Sequence, residues 1–377
     1  MFIDTFSKHF DSIEDPRQTA KISHPFFDIM FVTMCAVIAG ADGWKEIQEY
    51  AEGHLDWFQD NGILLAGAPV DDTIARIISR IKPEQFRQSF INWMQSINEL
   101  SKGDLIAIDG KVLRGSYDRD DKRSTIHMVS AFATANKVVI GQLKTNAKSN
   151  EITAIPELLR LLDIKGCLIS IDAIACQTKI AKEIIDNDAD YLLAVKGNQN
   201  SLYSSVKDAL AAELTKKLDP ENLSIEQGHG RLEARSYHVI SAQCVADKHS
   251  EWQGLTSIGV AVGYRQIKGK PPSLDYRYYI SSADLTVKRF SEAVRGHWLI
   301  ENSLHWVLDT AMNEDACQIY RDNGAENLAC MRHFALNMLR TEPTKLSIKL
   351  KQKRAWMKTS FLESVLVAGF NNLDDIQ

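Results

Sequence analysis

Leu105-Ile106-Ala107-Ile108-Asp109-Gly110-Lys111 and Leu168-Ile169-Ser170-Ile171-Asp172 are two short apolar runs, each reaching an aspartate. Isoleucine-rich runs of this length read as buried strands. A carboxylate at the end of such a strand is costly unless something binds it, and a divalent cation is the common answer. A third acid, Glu301, stands far along the chain in His297-Trp298-Leu299-Ile300-Glu301-Asn302, within a helical pattern.

The pattern around these runs predicts their place in a sheet. Strand candidates 104–113, 126–133 and 138–143 have short connections, as in an antiparallel meander. A helix follows with Ile152, Ile155, Leu158, Leu159 and Leu162 on its apolar side, then the strand 167–171. A second helix carrying Ile180, Ile184 and Ile185 leads to the strand 191–195 and to Lys196-Gly197-Asn198. The order βββαβαβ is that of the α/β ribonuclease-H-like fold, a mixed five-stranded sheet with helices. First and fourth strands are neighbours there, so Asp109 and Asp172 are expected to meet and Glu301 to close the site from a following helix.

Four stretches divide the chain on this reading. Residues 1–100 are expected to form a helical N-terminal domain, with a loop at 62–69. Residues 101–200 and 289–340 form the ribonuclease-H-like core. A β-rich insertion, 201–288, starts helically at 202–214, and a basic helical C-terminal tail fills 341–377. The tail carries Lys345, Lys349, Lys351, Lys353, Arg354, Lys358 and Trp356, a DNA clamp or a solvated helix face.

A hydrophobic share of 45% and a charged share of 25% are those of an ordinary globular protein. The net charge of −5 does not advertise a nucleic-acid binder, but nucleic acid is met by local patches. The six cysteines lack CxxC spacing and read as reduced core thiols. The run 29–41 is too short to span a membrane, and Met1-Phe2-Ile3-Asp4 opens with an acid rather than a basic region. A cytoplasmic protein, associated with the nucleoid when on DNA, is expected.

Taken singly, each acid has a plain reading. An Asp after a strand forms turns or caps helices, as Asp172-Ala173-Ile174-Ala175 would, and Glu301 alone suits a solvated helix face. Together on this topology they suit phosphodiester chemistry, for which carboxylates hold two magnesium ions about 3.5–4 Å apart. His297, Glu301, His305 and Asp309 follow i, i+4 spacing and share a helix face, but no HExxH accompanies them to suggest zinc. His305 and Asp309 line the cleft or fill structural roles. Arg231, Glu233 and Arg235 alternate on one strand face, suited to phosphate contact or to ion pairing. Lys111, Arg114 and Lys196 lie close in sequence to the acids and suit neutralisation of backbone phosphates.

Several blocks resemble the insertion-sequence DDE transposases: Asp109-Gly110-Lys111-Val112-Leu113-Arg114-Gly115-Ser116; Lys148 to Pro156; the segment around Asp172; Val195-Lys196-Gly197-Asn198-Gln199; Gly228 to Arg235; Tyr278 to Ser282; and His297 to Asp309, followed by Met312-Asn313-Glu314-Asp315. The closest likeness is to H-repeat-associated (Rhs-element) transposase-like proteins, along nearly the whole chain. The resemblance implies magnesium-dependent cleavage and strand transfer at element ends, with manganese as a substitute ion. Asp109, Asp172 and Glu301 would be its metal-binding catalytic acids, and the protein would work as a homodimer on DNA. Lys111, Arg114, Lys196, Asn198, His229, Arg231, Arg235, His297 and His305 are the DNA-contact candidates. The chain departs from the wider superfamily's Tyr, Arg and Lys at −7, −4 and +7 from the glutamate, with Val294, His297 and Leu308 there instead. The alternatives are a catalytically impaired DNA-binding relative and a ribonuclease-H-like metal-dependent nuclease.

Overall fold

The computed structural model of the protein describes residues 2–17, 22–118, 125–145, 151–216, 222–228 and 230–370. Helices come first: α1 Phe2–Phe10, α2 Phe26–Ile38, α3 Trp44–Gly53, α4 Leu55–Asp60, α5 Asp71–Ile78 and α6 Pro83–Ile97. Every residue of α2 from Asp28 to Ile38 is buried, as expected of a helix apolar on all sides. Among the described residues no helix is long and apolar enough to cross a membrane.

The sheet and its crossovers follow: β1 Leu105–Leu113, β2 Ile126–Ala133, β3 Val138–Thr145, α7 Glu151–Leu161, β4 Leu168–Ile171, α8 Thr178–Asp186 and β5 Asp190–Val195. Then come α9 Asn200–Leu214, β6 Leu223–Gly228, β7 Arg231–Ser241, α10 Gln243–Ala246, β8 Ser257–Ile267 and β9 Ser273–Ser281. The chain continues with α11 Val287–Leu299, a π-helical turn Ile300–His305, α12 Trp306–Ala311, α13 Gly324–Thr341, α14 Ile348–Met357 and α15 Thr359–Phe370.

The strand order is β3-β2-β1-β4-β5-β9-β8-β7-β6. β1, β2 and β3 pair antiparallel, while β1 with β4 and β4 with β5 pair parallel. These first five strands have the ribonuclease-H-like order. The inserted strands extend the same sheet: Val195 of β5 pairs with Tyr278 of β9, and the remaining ladders are antiparallel. The free edge of β5 is thereby covered, which removes a template for aggregation.

The C-terminal helices fold back onto the N-terminal ones, α15 packing on α13 and α1, and α14 on α2. Within the basic run of the tail, Lys351 is buried, its Nζ 3.0 Å from Glu342 and donating to the Leu339 carbonyl at 2.7 Å. Trp356 meets Tyr50 edge-on, and Lys345, Lys349, Lys353, Arg354 and Lys358 stay exposed.

Candidate active site

β1 does not stop at its aspartate. Its ladder with β2 runs on to Leu113 opposite Ile126, whereas its ladder with β4 ends at Ile108 opposite Ile171. β4 turns there into a 3-10 turn, Ala173–Ala175. Asp109 therefore sits at a fork, where two parallel strands part and a crevice opens at their carboxyl ends. Asp172 occupies the other prong and accepts a 3.0 Å hydrogen bond from the Ile174 amide, which orients its carboxylate as a helix cap. Beyond it, the Asn198 amide donates to the Ala173 carbonyl at 2.7 Å and Gln199 to the Cys176 carbonyl at 3.0 Å. These bonds pin the turn that carries Asp172.

The helix bearing Glu301 lies along β1 in the same direction. Gly296 permits the approach: a Cβ there would stand 2.3 Å from the Leu105 Cδ2. Thirteen residues of helix from Gly296 to Asp309 rise about 20 Å, and six residues of strand from Leu105 to Lys111 advance the same distance. The i, i+4 stripe thus meets the strand at intervals, with Glu301 and His305 at Asp109 and Asp309 at Lys111. His305 Nδ1 lies 3.5 Å from Glu301 Oε2 and 3.8 Å from Asp109 Oδ2. One ligand atom from each of Asp109, Glu301 and His305 lies within 4.8 Å of the others. Asp172 lines the same cleft, of about 530 Å³, but stands outside that tight group. His305 joins Asp109 and Glu301 there, while Asp172 faces the same cleft from the other prong.

Burial pushes the Asp109 carboxyl up to about 7, and the Glu301 and Asp172 charges add to this, while the His305 imidazole and the Gly110 amide oppose it. Glu301, half exposed, is held below the usual carboxylate range chiefly by its hydrogen bond to His305. Burial lowers the His297 imidazole, with Asp172 and a hydrogen bond to the Ser170 backbone pulling the other way. Two carboxylates and a buried imidazole crowded together, one acid disfavoured as an anion, are a group that could hold a metal ion.

Lys111 points to the same face as Asp109 but is committed elsewhere. Its Nζ lies 2.6 Å from Asp309, 3.0 Å from Asp315 and 3.2 Å from Glu314. Burial opposes its charge, yet the three acids outweigh that and leave its pKa above the ordinary lysine range. Lys111 thus latches β1 to the end of the Glu301 helix rather than presenting a free cation. Arg114 is largely exposed beside Asp315, and Lys196 is exposed on the rim of the acid cleft.

A larger groove of about 1030 Å³ adjoins the cleft and shares Asp275, Arg277 and Trp298 with it. Buried Glu233 gathers three guanidinium groups there, from Arg235 at 2.6 Å, Arg231 at 3.0 Å and Arg265 at 3.3 Å. Arg277 lies over the exposed Trp298 ring, 4.8 Å from its centroid. His229 falls outside the described residues. Val294 and Leu308 are buried, so the two departures from the superfamily signature that they represent face the core.

The sequence reading missed Glu151 of α7, whose carboxylate lies against the backbone of β1 at Gly110. The block Lys148 to Pro156 was visible, but an acid in the first turn of a helix is ordinarily explained by the helix dipole.

Comparison with known proteins shows the family. Residues 100–338 match the transposase DDE domain family, and residues 7–94 match the DDE_Tnp_1-associated family. The chain is 46% identical over 374 residues to the Escherichia coli O157:H7 protein named "Putative transposase YncI", covering 98% of this chain and 96% of that one. It is also 46% identical over 365 residues to "H repeat-associated putative transposase YhhI" of Escherichia coli (strain K12), with 95% and 97% covered. Among solved structures, the piggyBac transposase synaptic complex with hairpin DNA aligns with a TM-score of 0.43 at 12% identity, over 93% of this chain and 75% of that one.

Proposed function

Because the chain belongs to the transposase DDE domain family, we propose that it cuts and joins DNA at the ends of an insertion sequence, using divalent cations held by Asp109, Asp172 and Glu301. The observation that carries this reading is the fork in the sheet, which gathers Asp109, Glu301 and His305 within 4.8 Å, with Asp172 lining the same cleft. The residues fit the ion: hard oxygen donors dominate, and burial makes ionised Asp109 costly until a cation is present. Magnesium, or manganese in its place, supplies positive charge that activates the attacking oxygen and stabilises the leaving one.

In the reading proposed, a water oxygen attacks phosphorus and the 3′ oxygen of the element end leaves as a hydroxyl. That hydroxyl then attacks a target phosphodiester, so one bond forms for each that breaks. His305 keeps Glu301 ionised and holds it beside Asp109. Asn198 and Gln199 fix the turn bearing Asp172. The Arg231–Arg235–Arg265 cluster and Lys196 receive backbone phosphates, since each guanidinium keeps N–H donors beyond those given to Glu233. Joining two ends in one event calls for two copies of the chain, hence a dimer on DNA.

Purified protein incubated with magnesium and DNA bearing its own element ends tests the proposal. Cleavage and joining are expected, with losses of at least a thousandfold in Asp172→Asn and Glu301→Gln. Nicking of arbitrary DNA without joining would instead identify a nuclease. Binding without nicking, across several metals and end sequences, would identify an impaired relative. Arg235→Ala should weaken DNA binding and flatten its salt dependence by a slope of about one.

A further inference from the structure

We propose that Glu151, in the first turn of α7, is a fourth carboxylate of the cation site, reaching it across Gly110 and sharing a divalent metal ion with Asp109 and Asp172. This rests on the reading of Asp109 as a cation ligand. The first observation is the cradle at Gly110. A Cβ on that residue would lie 2.1 Å from the Glu151 Oε1 and 2.3 Å from its Cδ, so the carboxylate fills the volume that any side chain would take. Gly110 is the immediate neighbour of Asp109, and glycine is what allows an acid to seat against β1 at this level.

Side chains of adjacent strand residues point to opposite faces, which by itself would separate Glu151 from Asp109. The fork removes the separation. β4 has ended at Ile171, so beside Gly110 no strand lies between the two faces on that flank. α7 packs against the 3-10 turn that follows Asp172, and Glu151 in its first turn feels the Asp172 charge.

The surroundings of Glu151 match a ligand awaiting a cation. Its carboxylate is half-buried, and Asp172, His127 and His305 are the charged or titratable side chains that act on it. His305 itself is buried, points Nδ1 toward the acids, and leaves its Nε2 without a hydrogen-bond partner. A structural acid at a helix start would sit in solvent near the dipole, whereas this one is partly buried and faces the Asp172 carboxylate.

The test is manganese binding to the full chain without DNA, read by the electron paramagnetic resonance signal of free Mn2+. Glu151→Gln should weaken binding at least tenfold, and Gly110→Ala, which keeps every acid but fills the cradle, should weaken it similarly. Asp109→Asn should abolish binding. Wild-type affinity within twofold in both Glu151→Gln and Gly110→Ala, with Asp109→Asn inactive for binding, would overturn this inference alone. Wild-type affinity in Asp109→Asn would overturn the underlying site as well. Circular dichroism melting confirms folding; should Glu151→Gln not fold, Glu151→Asp, which keeps the charge but shortens its reach, is expected to show the same loss.

Discussion

Asp109→Asn in the metal-free protein should raise stability above neutral pH. Burial carries the Asp109 carboxyl from 3.8 to about 7, which corresponds to about 4 kcal/mol of resistance to ionisation in the folded state. The sign follows from linkage. Between those values the folded chain keeps the proton that the unfolded chain has released, so stability falls as pH rises from about 4 to about 7 and stays low above. The asparagine amide is itself a polar group buried at that point, at a cost of about 1–3 kcal/mol that offsets part of the gain. A net gain of about 1–2 kcal/mol remains for the asparagine variant at pH 8, or about 2 °C in Tm for a chain of this size. Urea denaturation and thermal melting of chelator-treated protein at pH 5 and pH 8 measure it. The gap should shrink at pH 5, where Asp109 is protonated, and reverse at pH 8 with saturating Mn2+, which only the wild type binds well. A metal-free Asp109→Asn protein less stable than wild type at pH 8, or a gap independent of pH, would refute the reasoning.

Two further outcomes follow from the helix that flanks β1. Lys111→Met should cost about 3–5 kcal/mol, because it strands Glu314, 1% exposed, with Asp309 and Asp315 around an apolar side chain. Asp315→Asn should cost under about 1 kcal/mol, since two acids still hold the lysine; urea midpoints that rank the two variants in the other order would dismiss the latch. Gly296→Ala should cost about 1–3 kcal/mol by driving a methyl into Leu105. Adding Leu105→Ala to it should recover part of the loss, and strictly additive penalties would show that the clash is absent.

The core strands were legible because buried parallel strands are written as unbroken apolar runs, and their crossovers keep a helical period. The extent of β1 was legible as well, since 104–113 reads as one strand, but the fork was not: only the pairing shows β2 running on to Leu113 past the point where β4 ends. The attachment of the insertion was equally hidden: Val195 and Tyr278 gain their meaning only as ladder partners. At the site, the sharing of one cleft by Asp109 and Glu301 followed from topology, and His305 from i, i+4 spacing. Lys111 looked like a cation for phosphate because its partners lie about two hundred residues away. Glu151 was invisible as a candidate because its significance depends on an absent side chain on another element.

The wide turn at Ile300–His305 sets the phase of everything beyond it. Four residues of regular α-helix overshoot a full rotation by about 40°, so three such steps from His297 to Asp309 would accumulate about 120° and swing the last residue off the strand. Bonding from i to i+5 takes up residues without adding as much rotation, and returns the stripe to alignment. Loss of one residue within 302–304 would therefore leave each acid chemically intact yet turn the latch at Lys111 away from the pair at Asp109. The spelling length of that segment constrains the centre as firmly as the acids themselves.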